Sequence, residues 1–140
     1  LQKHFDKNGD KLTLKEVREE LLKYPEYKMA ARDNAGPAIV VGSEKRRAGR
    51  IMVDMTGGTG GPTESLEKLA AAGVGTLIGM HISEKNREAA EKHKMNVVIA
   101  GHDSSDSIGI NLFVDELEKK GVEIIPCSGL YRVSRVKKKK

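Results

Sequence analysis

This sequence predicts an α/β fold: a mostly parallel sheet with helices on both faces. Short apolar runs alternate with amphipathic helical patterns from residue 38 onward. The junctions carry glycine and N-capping residues where strand must become helix or helix must stop. One apolar run, residues 96–100, is continuous rather than alternating, as expected of a strand covered on both sides.

Thr13-Leu14-Lys15-Glu16 has the form of a capping box, in which the Thr hydroxyl and Glu carboxylate each satisfy an orphan N–H. Leu14, Val17, Leu21 and Leu22 follow at helical spacing, so a helix runs to about Lys23. Tyr24-Pro25 is read as its stop, because a residue before proline avoids the α region. The Gly/Pro/Asn/Asp-rich stretch 32–37 reads as a loop. Strands are expected at 38–41, 50–55, 75–80, 96–100 and 122–126, with a short last one at 130–133. Helices are expected at 63–72, closed by Gly73, at 83–93 with Ser83 as N-cap, and at 105–120, ended by Gly121. The expected organisation is a helix and linker over 1–37, an α/β domain over 38–136 and a disordered lysine tail over 137–140. Leu1 in place of Met, opening on polar residues, reads as a piece of a longer chain.

The 140 residues carry a formal charge of +5, but the charge is unevenly placed. Without the four terminal lysines, the 25 basic residues fall to 21 against 20 acidic ones. Nucleic-acid binding is therefore not expected beyond weak, tail-mediated contact, and two Phe and three Tyr leave little for base stacking. No apolar run reaches the ~18 residues of a membrane span, so no membrane role is expected. The single cysteine, Cys127, excludes an internal disulfide and suits a cytoplasmic setting.

Ligands of open parallel sheets bind beyond the carboxyl ends of the strands. Three successive strands here end in Asp54-Met55-Thr56-Gly57-Gly58-Thr59-Gly60-Gly61, in Met80-His81-Ile82-Ser83 and in Gly101-His102-Asp103-Ser104-Ser105-Asp106. Parallel strands bring all three to one edge. His102 and Asp106, four apart at a strand-to-helix junction, can share one side of a helical turn and suit Zn²⁺, Mn²⁺ or Fe²⁺. The competing reading has Asp106 favouring a helix N-terminus and His102 as a polar surface residue. The glycine loop could present N–H groups to an anion or be a plain turn. It lacks the Gly-Lys-Ser/Thr of a phosphate-binding loop. Asp6, Asn8, Asp10 and Glu16 imitate a calcium loop, but Glu16 falls one residue short and Lys11 replaces the required glycine.

The segment Val97-Val98-Ile99-Ala100-Gly101-His102-Asp103-Ser104-Ser105-Asp106 resembles the "strand, Gly-His, three residues, acid" signature of the Nif-three family. Residues 79–102 are similar to the family's region before that signature. Asp54-Met55-Thr56-Gly57-Gly58-Thr59 and Ile125-Pro126-Cys127-Ser128-Gly129 resemble its archaeal branch. The resemblance covers roughly residues 24–135 and is specific over 49–135. Members are commonly described as homologues of type 2 GTP cyclohydrolase I. They carry a dinuclear divalent-metal site and assemble as toroidal oligomers, commonly hexamers.

The resemblance therefore implies a carboxyl-terminal part of a larger fold, with His102 and Asp106 as metal ligands and two metal ions (Zn, Mn or Fe) in the complete protein. It implies a homo-oligomer and a metal-dependent, hydrolase-like chemistry. In that chemistry His81 is a catalytic acid/base, and Asp54, Thr56, Gly57 and Gly58 contact the substrate. The other reading it leaves is a non-catalytic, metal-stabilised scaffold with protein partners. Two departures stand out: Asp106 replaces the usual Glu, and His4, His81, His93 and His102 include no adjacent His-His pair. The chain then holds at most half of the family's ligand set.

Overall fold

The computed structural model describes residues 1–58 and 60–137. Its sheet has four strands, β1 (Ala38–Val41), β2 (Arg50–Asp54), β3 (Val74–Gly79) and β4 (Asn96–Ile99), in the order β1-β4-β3-β2. β2, β3 and β4 are parallel, while β1 runs antiparallel along the β4 edge. Helices α4 (Glu64–Ala71) and α5 (Glu84–Lys92) make the two crossovers. They cover one face, where Leu66, Ala89 and Ala90 pack with Val74, Met95 and Val97.

The other face is covered by α1 (Gln2–Asn8), α2 (Leu14–Leu21), α3 (Pro25–Arg32) and α6 (His102–Lys119). There Phe5, Leu14, Val17, Leu21 and Tyr27 pack against Ile51, Ile78 and Val98, with Ile108 beside them. The α/β architecture is as the sequence predicts, with the apolar β4 run buried from both sides.

The local signals of α2, α4 and α5 also hold. Thr13 and Glu16 close the capping box, Ser83 accepts from the Asn86 N–H, and Gly73 follows α4 at φ +85°. α6 ends in a Schellman arrangement. The Val122 N–H reaches Leu117 O and the Gly121 N–H reaches Glu118 O, with Gly121 at φ +85°.

Four expectations are corrected. The opening residues, before the one helix expected in 1–37, form α1, anchored by buried Phe5. Pro25 does not only end a helix. It starts α3 at the first helical position, where its missing N–H costs nothing. α6 begins at His102, three residues earlier than expected. The segments 122–126 and 130–133 join no sheet. Pro126 removes a ladder donor, and the N–H groups of Tyr131 and Val133 are taken by side chains of α6.

The calcium-loop imitation is also dismantled. Glu16 is engaged by the Thr13 N–H and hydroxyl, and Asp6 by Gln2. The expected lysine tail falls outside the described residues from 138 onward, as does Thr59 of the glycine loop. Among the described residues no helix is long and apolar enough to cross a membrane.

Candidate functional site

The parallel register aligns Asp54 with Gly79, and Gly79 with Ile99, in one row across the carboxyl ends of β2, β3 and β4. Just beyond that row the chain delivers His81 from β3 and His102 from β4. Their rings stack, with centroids 5.3 Å apart and planes 15° from parallel. Gly57, from the β2 loop, lies against the same ring: a Cβ there would sit 3.6 Å from His102 Nε2. Three loops therefore meet at one edge, as the strand order requires.

His102 is placed by the residue before it. Gly101 caps α6 at φ +102° and ψ +139°. A Cβ there would come within 2.8 Å of Ala35 O and of Ser104 Oγ. Only glycine fits both the backbone angle and the space. The first turn is further pinned by Ser105, whose hydroxyl donates to Gly101 O at 2.6 Å and lies 3.1 Å from the hydroxyl of buried Tyr27. Neither Ser105 nor Tyr27 was singled out from sequence, because each needs a partner almost eighty residues away.

With α6 starting at His102, Asp106 is the fifth helical residue and not a cap. Its Oδ2 lies 3.3 Å from His102 Nε2, with both side chains about half exposed.

Asp54 sits at the end of β2 and folds back on its own loop. It accepts from the Thr56 N–H at 3.1 Å and from the Thr56 hydroxyl. The loop is tied down by Asn86 of α5, whose amide donates to Gly60 O at 2.8 Å and to Gly61 O at 3.4 Å. Asn86 is 5% exposed, and an asparagine in a polar helix gives no sequence signal for such a contact. Asp54, Thr56, Gly60, His81 and Asn86 surround a cavity of about 30 Å³, room for one water. Gly58 has no neighbour within 4 Å of a would-be Cβ and is open to solvent.

On the other side of Asp106, a cleft of about 320 Å³ is lined by Asp103, Asp106, Ser107, Ile110 and the turn 127–130. Cys127 is exposed in that turn. His93 is the C-cap residue of α5, and His4 pairs with Glu20 at 3.1 Å, so neither reaches the edge site. Among the described residues no group of three His, Cys, Asp or Glu side chains converges on one point. The chain thus presents two donors in contact, with a second imidazole stacked beside them.

No family model matches the chain, and no curated protein does. Solved structures do. A NIF3 superfamily protein from Sphaerobacter thermophilus superposes with a TM-score of 0.78 at 30% identity, over 92% of this chain and 46% of that one. A Bacillus cereus protein related to NIF3 shares the fold at a TM-score of 0.52 and 16% identity, over 81% of this chain and 29% of that one. The chain spans less than half the length of either. By fold, sequence identity and the extent of the Sphaerobacter match, the chain belongs to the NIF3 superfamily.

Proposed function

We propose that His102 and Asp106 are two ligands of a divalent-metal site in a metal-dependent, hydrolase-like protein. Their separation is the observation that carries this reading. Two donors on one tetrahedral ion, each bound at ~2.0–2.1 Å, stand about 3.3 Å apart, and Nε2 and Oδ2 are 3.3 Å apart. A charge-assisted N–H···O bond would close to ~2.7–2.9 Å. The half-exposed pair is also open to a ligand.

When bound, a divalent ion there supplies a polarised water of lowered pKa. The chain's own residues supply the rest. His81, stacked on His102, holds or delivers a proton at the same edge. Asp54 and Thr56, held to each other, offer oxygens to a polar substrate. Gly57 and Gly58 leave its approach unobstructed. Two protein donors do not complete a coordination sphere. The remaining ligands, and a second ion in the complete protein, would come from outside these residues.

The scaffold reading draws on a different observation. Ile110 and Phe113 stand exposed on one side of α6, 45% and 66% accessible, as at a protein-contact surface.

Metal analysis of the complete protein, with hydrolysis screens run with and without chelator, separates the two. His102→Ala and Asp106→Ala should each lose metal and hydrolytic activity, and the double variant should be little worse, because the pair acts as one unit. Asp106→Glu should retain much of the metal. Unchanged metal content in both single variants overturns the site. Retained metal with no hydrolysis of any substrate favours the scaffold.

A further inference from the structure

Residues 121–137 contribute no buried side chain, yet residues 131–135 are fixed along α6. The N–H groups of Tyr131, Val133 and Arg135 donate to Ser107 Oγ (3.0 Å), Asn111 Oδ1 (3.3 Å) and Asp115 Oδ2 (3.1 Å). The donors are alternate residues of a segment outside any helix or strand, and the acceptors are every fourth residue of a helix. Two residues of an ideal extended chain advance ~6.6 Å and four helical residues ~6.0 Å, so alternate donors can meet every fourth helical acceptor over this length. α6 thus takes the part that a neighbouring strand would play.

Two guanidiniums complete the attachment. Arg132 bonds Asp115 at 2.6 Å and Glu118 at 2.7 Å, and Arg135 bonds the buried Glu26 of α3 at 2.7 Å. These attachments are hydrogen bonds and ion pairs, and no residue of this arm joins either core cluster.

At its upstream end the arm enters through a tight turn. Ser128 and Gly129 have φ of +51° and +81°, and the Leu130 N–H donates to Cys127 O at 3.2 Å. Both central residues at positive φ make a two-residue turn of the hairpin kind. This turn is the far wall of the 320 Å³ cleft beside Asp106. A hold made by hydrogen bonds and ion pairs therefore positions a wall of the candidate site.

We propose that residues 122–136 are a strap that detaches from α6 as a unit while the core stays folded, and that detachment uncovers the cleft beside Asp106. The detachment stands on the ladder alone; only its consequence for catalysis rests on the metal reading above. Segments without buried apolar side chains open at lower free energy than the core they lie on.

Residue-resolved amide exchange on the full chain tests this without any metal. The amides of Tyr131, Val133 and Arg135 should be protected, but should exchange at least about tenfold faster than those of Val97 and Val98 in β4. Arg132→Ser with Arg135→Ser should accelerate the three by about tenfold more and leave the β4 amides unchanged. In the same variant a soluble gadolinium chelate should relax the Ser107 β protons several-fold faster, and a fluorophore on Cys127 should lose anisotropy. If the three amides exchange together with Val97 and Val98 in both proteins, the arm is part of the global unit and the strap is overturned. The strap is also overturned if the three amides show no protection. Faster exchange with unchanged Ser107 relaxation overturns the opening of the cleft. Loss of metal binding by His102→Ala with strap exchange unaltered leaves the strap standing, and the reverse result leaves the metal site.

Discussion

Replacing Gly101 by alanine puts both the fold and the site under load. The residue sits at φ +102° and ψ +139°, a region that L side chains rarely enter, which costs about 1–3 kcal/mol. The new Cβ would also meet Ala35 O and Ser104 Oγ at 2.8 Å each. Ala35 O is backbone and cannot rotate away, so part of the clash remains after relaxation. Together these predict a loss of about 2–4 kcal/mol. At about 4 °C per kcal/mol for a chain of this size, the midpoint should fall by about 8–16 °C. The internal control is Gly57→Ala, whose Cβ would meet nothing nearer than 3.6 Å and should cost less than about 0.5 kcal/mol. Thermal melts of the two variants beside wild type are sufficient. A Gly101→Ala midpoint within about 3 °C of wild type would refute the claim that the Gly-His junction is held by sterics.

Asn86→Ala removes the amide that ties down Gly60 and Gly61, so urea denaturation should show a loss of about 1–2 kcal/mol. Stability should also fall in acid. Glu16 is held low by the Thr13 N–H and hydroxyl, Glu20 by Lys23, and Glu84 by Arg87. Burial alone would push Asp115 up, but Arg132 and the Arg135 N–H outweigh it and hold the carboxyl low. Depressed carboxyls contribute stability that is present above about pH 4.5 and lost as the pH falls through their lower folded values. Melting midpoints from pH 7 to 3 should therefore drop in the acid range, and less steeply in Glu16→Gln. A parallel drop in that variant would remove Glu16 from the explanation.

The two crossovers could be read because each piece of their pattern is local. Ser83 caps the helix that follows it, Gly73 and Gly121 terminate helices at positive φ, and the apolar β4 run needs cover on both faces. The convergence of Asp54, His81 and His102 on one edge follows from parallel topology alone. What was missed depends on contacts distant in sequence. Pro25 looks the same whether it ends one helix or starts the next, and the buried Tyr27 that settles the matter shows only in the packed core. Residues 130–133 read as a short last strand. The sequence does not say that its N–H groups go to Ser107 and Asn111 instead of a strand. Asn86 and Ser105 act through single hydrogen bonds to distant loops, which no spacing rule anticipates.

The central claim, that His102 and Asp106 together hold a divalent ion, is tested most directly by imidazole ¹⁵N spectra of the chain during a Zn²⁺ titration. The chain has four histidines, and His4 and His93 lie away from the edge site. Nε2 of His102 should shift first, with a smaller change at the stacked His81 and none at His4 or His93. Asp106→Asn should abolish the selectivity while leaving the melting midpoint within about 3 °C of wild type. Equal response of all four rings, or a selective His102 shift that survives in Asp106→Asn, would contradict the shared site.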